Sequence, residues 1–338
     1  MFLQKSMIAV RLKEARNREV ADLEGLGIDD GLFHDYVLPV MRDSSWRELH
    51  LGSNRITHRA LVDVATVLKE EPFKSKLEVL VLTRNQIIDA ALIEFCHAID
   101  SCALRILSLG FNRLSSHGIQ VLWGAIDRWG GVEELDLDGN SVSETCFQNM
   151  SHVLKHSSRL RILRLSKTSL SDDCCVALRE SLHQSNLVEL HLSKNLITVR
   201  GLDAIGLSLN QAKLEVLDLS QNQIVGNIEA FCSAVRRSQL KRLNLSGNKI
   251  SEQGAKNLMK AVRGTDIISL NMHWNGFSDE VLAQLRQVVQ FPTSEVYGNI
   301  MALCSSKYRV GIRSSIRVLP LELIRKVVEA LYPLDSHN

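Results

Sequence analysis

Proline is scarce, with five in 338 residues, and glycine contributes only nineteen. Composition therefore excludes a long extended or flexible linker. Aromatic residues make up 5% of the chain and the formal charge is only +2. No basic stripe interleaved with aromatics is present, which argues against nucleic acid, and the balance is too mild to seek an anionic membrane surface. No run of eighteen apolar residues occurs, so no transmembrane helix is expected. The first apolar stretch is broken by Lys5 and followed by Arg11, Lys13, Arg16 and Arg18, unlike a secretory leader. Seven cysteines, an odd number, lack the spacing of a disulfide framework. A reduced, cytoplasmic protein is the expectation, in which the glycosylation sequons at Asn149 and Asn244 carry no meaning.

What the chain does have is a repeat. An eleven-residue phrase, apolar-x-x-Leu-x-Leu-x-x-Asn-x-apolar, recurs nine times. Its clearest copies run Leu77 to Asn85, Leu104 to Asn112, Leu187 to Asn195, Leu214 to Asn222 and Leu240 to Asn248. Trp46 to Asn54, Val132 to Asn140 and Ile267 to Asn275 keep the frame with an altered first residue. Leu160 to Thr168 carries threonine in place of asparagine. Successive ninth positions are 31, 27, 28, 28, 27, 27, 26 and 27 residues apart.

Leu-x-Leu alternation sends two side chains to one face of a short strand and the residue between to the other. One strand per repeat, always in the same direction, predicts a parallel sheet. Asn54, Asn85, Asn112, Asn140, Asn195, Asn222, Asn248 and Asn275 are placed to bond turn backbone that burial would otherwise leave unpaired. Thr168 can supply one such bond but not the full set. Between phrases the period turns helical, as in residues 90–99 and 254–262. Asp89, Ser115, Ser143, Ser171, Thr198, Ser251 and Ser278 stand where helix caps are expected. Helices are wider than the strand spacing, so stacking bends the array, with strands on the concave side and helices on the convex side.

From Trp46 to about Gln290 the chain resembles the ribonuclease-inhibitor-like class of leucine-rich-repeat proteins. The resemblance implies an α/β fold: a right-handed leucine-rich-repeat solenoid, or horseshoe. It implies function less narrowly, since the class runs from tight inhibitors to GTPase activators and actin caps. Residues 1–45 read as an N-terminal cap with a degenerate repeat strand at Leu23 to Ile28 and a short helix near Phe33 to Met41. Residues 46–290 hold nine repeats. Residues 291–338 read as a C-terminal extension whose stripe Leu321, Ile324, Val327, Val328 and Leu331 forms a capping helix.

The frame also predicts the concave face. Its central column is His50, Val81, Ser108, Asp136, Arg164, His191, Asp218, Asn244 and Asn271, and the column two residues earlier includes Val79, Ile106, Glu134 and Glu189. Val79, Val81 and Ile106, with nearby Phe111, form an apolar zone that reads either as a contact patch or as ordinary strand composition. Glu134, Asp136, Arg164, Glu189, His191 and Asp218 form a charged zone that either meets a partner or pairs laterally. Phe111 and Trp274 are aromatic anchors or loop packing.

Catalytic patterns are weak. His191 and Asp218 with Ser193 or Ser220 suggest a hydrolytic triad, but serine recurs at that position as repeat grammar (Ser166, Ser193, Ser220, Ser246). His152 and His156 have zinc-ligand spacing without a third ligand, and Cys174-Cys175 opens a helix, a place that can favour a thiolate, but with no resolving cysteine or base in view the pair reads as structural. No phosphate-binding glycine loop occurs, and no cofactor, metal or small-molecule substrate is expected. The reading is a non-catalytic scaffold for a protein partner. Two alternatives stand beside it: a small-GTPase activator of the Ran-activator type using Arg55 or Arg84, and a substrate adaptor for ubiquitin ligation. The latter rests on Ile316 to Ile324, a segment similar to the opening of an F-box.

Overall fold

The computed structural model describes residues 2–70, 76–143, 146–156 and 159–288. These belong to one compact unit, Met1–Val288. Ten three-residue strands form a single parallel sheet: β1 (Val20–Asp22), β2 (Glu48–His50), β3 (Val79–Val81), β4 (Ile106–Ser108), β5 (Glu134–Asp136), β6 (Ile162–Arg164), β7 (Glu189–His191), β8 (Val216–Asp218), β10 (Arg242–Asn244) and β12 (Ser269–Asn271). A small parallel pair, β9 (Val225–Gly226) and β11 (Lys249–Ile250), lies beside it. The large sheet follows chain order, and its register aligns Leu49, Leu80, Leu107, Leu135, Leu163, Leu190, Leu217, Leu243 and Leu270 in one buried row. Helices return each repeat to the sheet and pack on their neighbours, their buried faces centred on residues such as Phe95, Trp123 and Phe231. The fold is an α/β leucine-rich-repeat solenoid, with strands on the concave side and helices on the convex side.

The asparagine ladder holds the repeats in register. Asn85 Nδ2 donates to Leu82 O in its own turn (3.0 Å) and to Leu51 O in the preceding repeat (2.9 Å), while its Oδ1 accepts from Ile56 N (2.9 Å). Asn54, Asn112, Asn140, Asn195, Asn222, Asn248 and Asn275 repeat this pattern. Each amide thus satisfies backbone groups that would otherwise be buried without partners. The Thr168 hydroxyl lies 2.6 Å from Leu165 O and 3.3 Å from Asn195 Oδ1, and Val142 N, which would meet an asparagine oxygen, donates to the Thr168 carbonyl instead (3.2 Å).

The residue before each ladder position has positive φ throughout: Ser53, Arg84, Phe111, Gly139, Lys167, Lys194, Gln221, Gly247 and Trp274. Seven of these have side chains, a conformation that ordinarily costs a non-glycine residue about 1 kcal/mol. The turn recovers it by aiming an N–H at the next repeat, as from Ser53 N to Thr83 O (2.8 Å) and from Lys194 N to Ser220 O (2.9 Å).

Two readings of the N-terminal cap change. The degenerate strand lies at Val20–Asp22, not at Leu23 to Ile28. Ala21 occupies its leucine slot and Leu26 its asparagine slot, which obscured the frame. Before it, the helix Phe2–Ala15, which the pattern had not revealed, buries Ile8, Leu12 and Ala15. Gln4 closes the ladder there by donating to Leu26 O and Gly27 O (3.1 and 2.8 Å). The helix near Phe33 to Met41 is present as a continuous run, with a wide π turn at Phe33–Val37 just ahead of Pro39, which has no N–H to donate backwards.

Among the caps, Ser115, Thr198 and Ser251 accept backbone N–H groups as expected. Asp89 does not cap its helix. It is the first helical residue, and its carboxylate instead accepts from Ser115 N (2.7 Å) in the next repeat, where it ties neighbouring helix starts together. Ser171 precedes its helix without a side-chain cap bond. The extension 291–338, with its stripe from Leu321 to Leu331, lies outside the described residues.

Candidate functional site

The strand register brings the central column together on one face, with Asp136 opposite Arg164, Arg164 opposite His191 and His191 opposite Asp218. Burial divides the column. His50, Val81, Ser108 and Asp136 are buried, whereas Arg164, His191, Asp218, Asn244 and Asn271 are half-buried. Val79 and Val81 are only 7% and 6% exposed, so the expectation of an exposed apolar patch is corrected. β-Branched side chains on adjacent strands cover one another, leaving Ile106 half-buried beside them. The accessible part of the face is the polar half, from Arg164 onward.

Within that half, charges pair laterally. Arg164 Nε donates to Glu134 Oε1 (3.1 Å), and His191 Nε2 faces Glu189 Oε2 (3.3 Å) on its own strand. Burial pulls the Arg164 guanidinium down, but Glu134, Asp136 and Glu189 together hold it above its ordinary value. Asp138, which sequence reasoning passed over, lies just beyond this group. Its N–H donates to Asp136 Oδ1 (2.9 Å) and its Oδ1 accepts from Ser166 N (2.6 Å). Burial, then the neighbouring Asp136 charge, push its carboxyl up to about 7 against the opposing pull of the Ser166 N–H and Arg164. The only sequence signal was an aspartate in a column otherwise rich in serine.

Along one edge of the sheet, Phe111 (37% exposed) packs over Gly139, with Arg84 Cζ 5.2 Å and Lys167 Nζ 5.7 Å from its ring centroid. Trp274, 74% exposed, stands apart after β12. The opposite edge carries alternating charges just before each strand. Arg47 Nε donates to Glu78 (3.0 Å), and Arg105 reaches both Glu78 (3.4 Å) and Glu133 (2.9 Å). Lys241 pairs with Glu215 further along (2.7 Å). The Arg47 hydrogen bond holds the Glu78 carboxyl below its usual range despite partial burial.

The catalytic patterns do not assemble. His191 turns to Glu189 rather than to Asp218, whose Oδ1 instead accepts from Ser220 N (2.9 Å). His152 and His156 stack with ring centroids 4.4 Å apart, and among the described residues no cluster of three potential ligands gathers for a metal. Cys174 and Cys175 are buried, and burial pushes the Cys175 thiol up, which disfavours a thiolate there. Among the described residues no helix is long and apolar enough to cross a membrane.

Comparison with known proteins agrees with this geometry. Family models described as Leucine Rich repeat match residues 183–206 and 239–259, and a second Leucine Rich Repeat model matches 213–234. A ribonuclease inhibitor from Sus scrofa is 28% identical over 168 residues, which is 49% of this chain and 36% of that protein. The match thus spans about a third of the relative's length. An internalin from Listeria monocytogenes superposes with a TM-score of 0.51 at 20% identity, covering 84% of this chain and 78% of its own, a likeness of fold. Nine phrases in register, their asparagine ladder and these matches make the chain a leucine-rich-repeat solenoid that is similar to ribonuclease inhibitor.

Proposed function

We propose that the protein is a non-catalytic scaffold that holds a folded protein partner on its concave sheet. The observation that carries this reading is the alignment of half-buried polar and charged residues on successive strands, Arg164, His191, Asp218, Asn244 and Asn271, along one continuous face. Such a face binds through area and scattered anchors rather than one deep pocket. Glu134, Asp136 and Glu189 orient the charged group. Ile106, Phe111 and Trp274 add apolar contact, while Val79 and Val81 act from beneath as packing. The six described cysteines are thiols rather than disulfides, which supports a cytoplasmic setting.

The GTPase-activator alternative needs an arginine that reaches into a partner's nucleotide site. Arg84 instead lies against Phe111 in a tight turn. The ligase-adaptor alternative rests on residues outside those described. The test is affinity capture from native cytosol with wild type, a concave-face variant (Ile106→Arg with Arg242→Glu) and a convex-face variant (Arg179→Glu with Lys260→Glu). Partners retained by wild type and the convex variant but lost by the concave variant support the reading. Identical partner sets for all three contradict it.

A further inference from the structure

The two edges of the sheet treat charge differently. At the edge before the strands, Arg47, Arg105 and Lys241 are matched to Glu78, Glu133 and Glu215. At the edge after the strands, the positive-φ column contains Arg84, Lys167 and Lys194 and no acidic residue. All three cations are exposed, and none takes a carboxylate partner among the described residues. Phe111 draws two of them to one ring although they repel each other, and it can do so because Gly139 leaves room for the ring. Like charges gathered on a rigid turn with no counter-ion make a place where an anion is favoured.

We infer that the Arg84–Phe111–Lys167–Lys194 rim is a docking surface for an extended acidic segment of a protein partner. This assignment takes its place on the molecule from the concave-face reading and adds the chemistry of what is bound. Arg84 and Lys194 lie four repeats apart, about 20 Å at the spacing of parallel strands. A strand-like segment of about six residues, at about 3.3 Å each, spans that distance. Its carboxylates meet the cations, and its backbone or an apolar side chain meets the exposed part of Phe111. A nucleic acid fits less well. Single strands bind by stacking bases on aromatic faces, whereas this ring already lies against Gly139 and two cations.

The experiment is fluorescence anisotropy with a labelled octaglutamate peptide at low ionic strength, using the full chain. Wild type is expected to bind, with affinity falling as salt rises. Arg84→Glu with Lys167→Glu weakens binding at least tenfold, and the milder Arg84→Gln with Lys167→Gln weakens it in the same direction. Arg179→Glu with Lys260→Glu, the same charge change on exposed helix positions, leaves it within twofold. Equal losses in the rim and helix variants, no binding by wild type, or tighter binding of an eight-nucleotide oligothymidine would overturn the inference. If the peptide fails while the Ile106→Arg and Arg242→Glu variant still loses its captured partner, the acidic segment is discarded and the concave sheet stands.

Discussion

Phe111 lies so close on Gly139 that a β-carbon added to the glycine would come 2.5 Å from the ring's Cδ1. Gly139 also holds φ at +67°, so two independent reasons keep a side chain out. Gly139→Ala is therefore expected to destabilise the protein by about 1–3 kcal/mol, from backbone strain plus overpacking. The same substitution in a Phe111→Ala background removes only the overpacking and costs less. A thermal-denaturation double-mutant cycle reads the difference. Equal costs in both backgrounds would mean that the ring and the glycine do not touch.

Asp138 couples stability to pH. Its folded carboxyl, at about 7, lies above the ordinary aspartate value of 3.8, so the folded state binds its proton more tightly than the unfolded chain does. Below about pH 4 the group costs nothing, and the cost grows as pH rises through about 7. Asp138→Asn keeps an oxygen to accept from Ser166 N while removing repulsion with Asp136. The variant should melt higher than wild type at pH 8 and match it more closely at pH 5. A gap that is the same at both pH values would assign the shift elsewhere.

The ladder predicts its own repair. Leu137 O accepts from Asn140 Nδ2 in its own turn (3.1 Å), but Thr168 does not give it the second donor that the following repeat's asparagine supplies elsewhere, as Asn195 does to Leu165 O. Thr168→Asn should add about 1 kcal/mol for one net hydrogen bond, raising Tm by about 2 °C. Asn222→Ala removes Nδ2 bonds to Leu192 O and Leu219 O and the oxygen that receives Ile197 N, so it should cost several kcal/mol, at about 1–3 per orphaned group. Urea denaturation compares both variants with wild type. A stabilised Asn222→Ala would remove the ladder from the account.

Arg164 carries the charge balance of the concave face. Arg164→Ala leaves Glu134, Asp136 and Glu189 close together without their cation and should cost about 3 kcal/mol. Glu134→Gln in the same chain should recover part of that loss. An additive double variant would show that Arg164 and Glu134 do not interact.

How much of this was legible in the sequence depends on the period. Leucines at fixed spacing set strand register to the residue, because a one-residue slip would expose the whole buried row from Leu49 to Leu270. The frame weakened where Ala21 and Leu26 replaced its two strongest markers, and there the strand was misplaced by three residues. The inward-facing column was named correctly but its burial was not. Exposure depends on neighbouring side chains, and Val79 lies opposite Ile106 on the next strand, a pairing no single phrase records. Asp138 and the pairing of Arg47, Glu78, Arg105 and Glu133 needed distances between repeats. In the sequence these residues lie about thirty positions apart or look like ordinary surface polarity.

The concave face is tested most directly by site-specific photo-crosslinking. A photoreactive benzoylphenylalanine replaces Arg242 on the sheet or Lys260 on the helical side, both exposed, and the protein is irradiated in native cytosol. A discrete covalent adduct with a protein from the Arg242 position and none from Lys260 is the predicted result. The same adduct from both positions, or one from Lys260 alone, would contradict it.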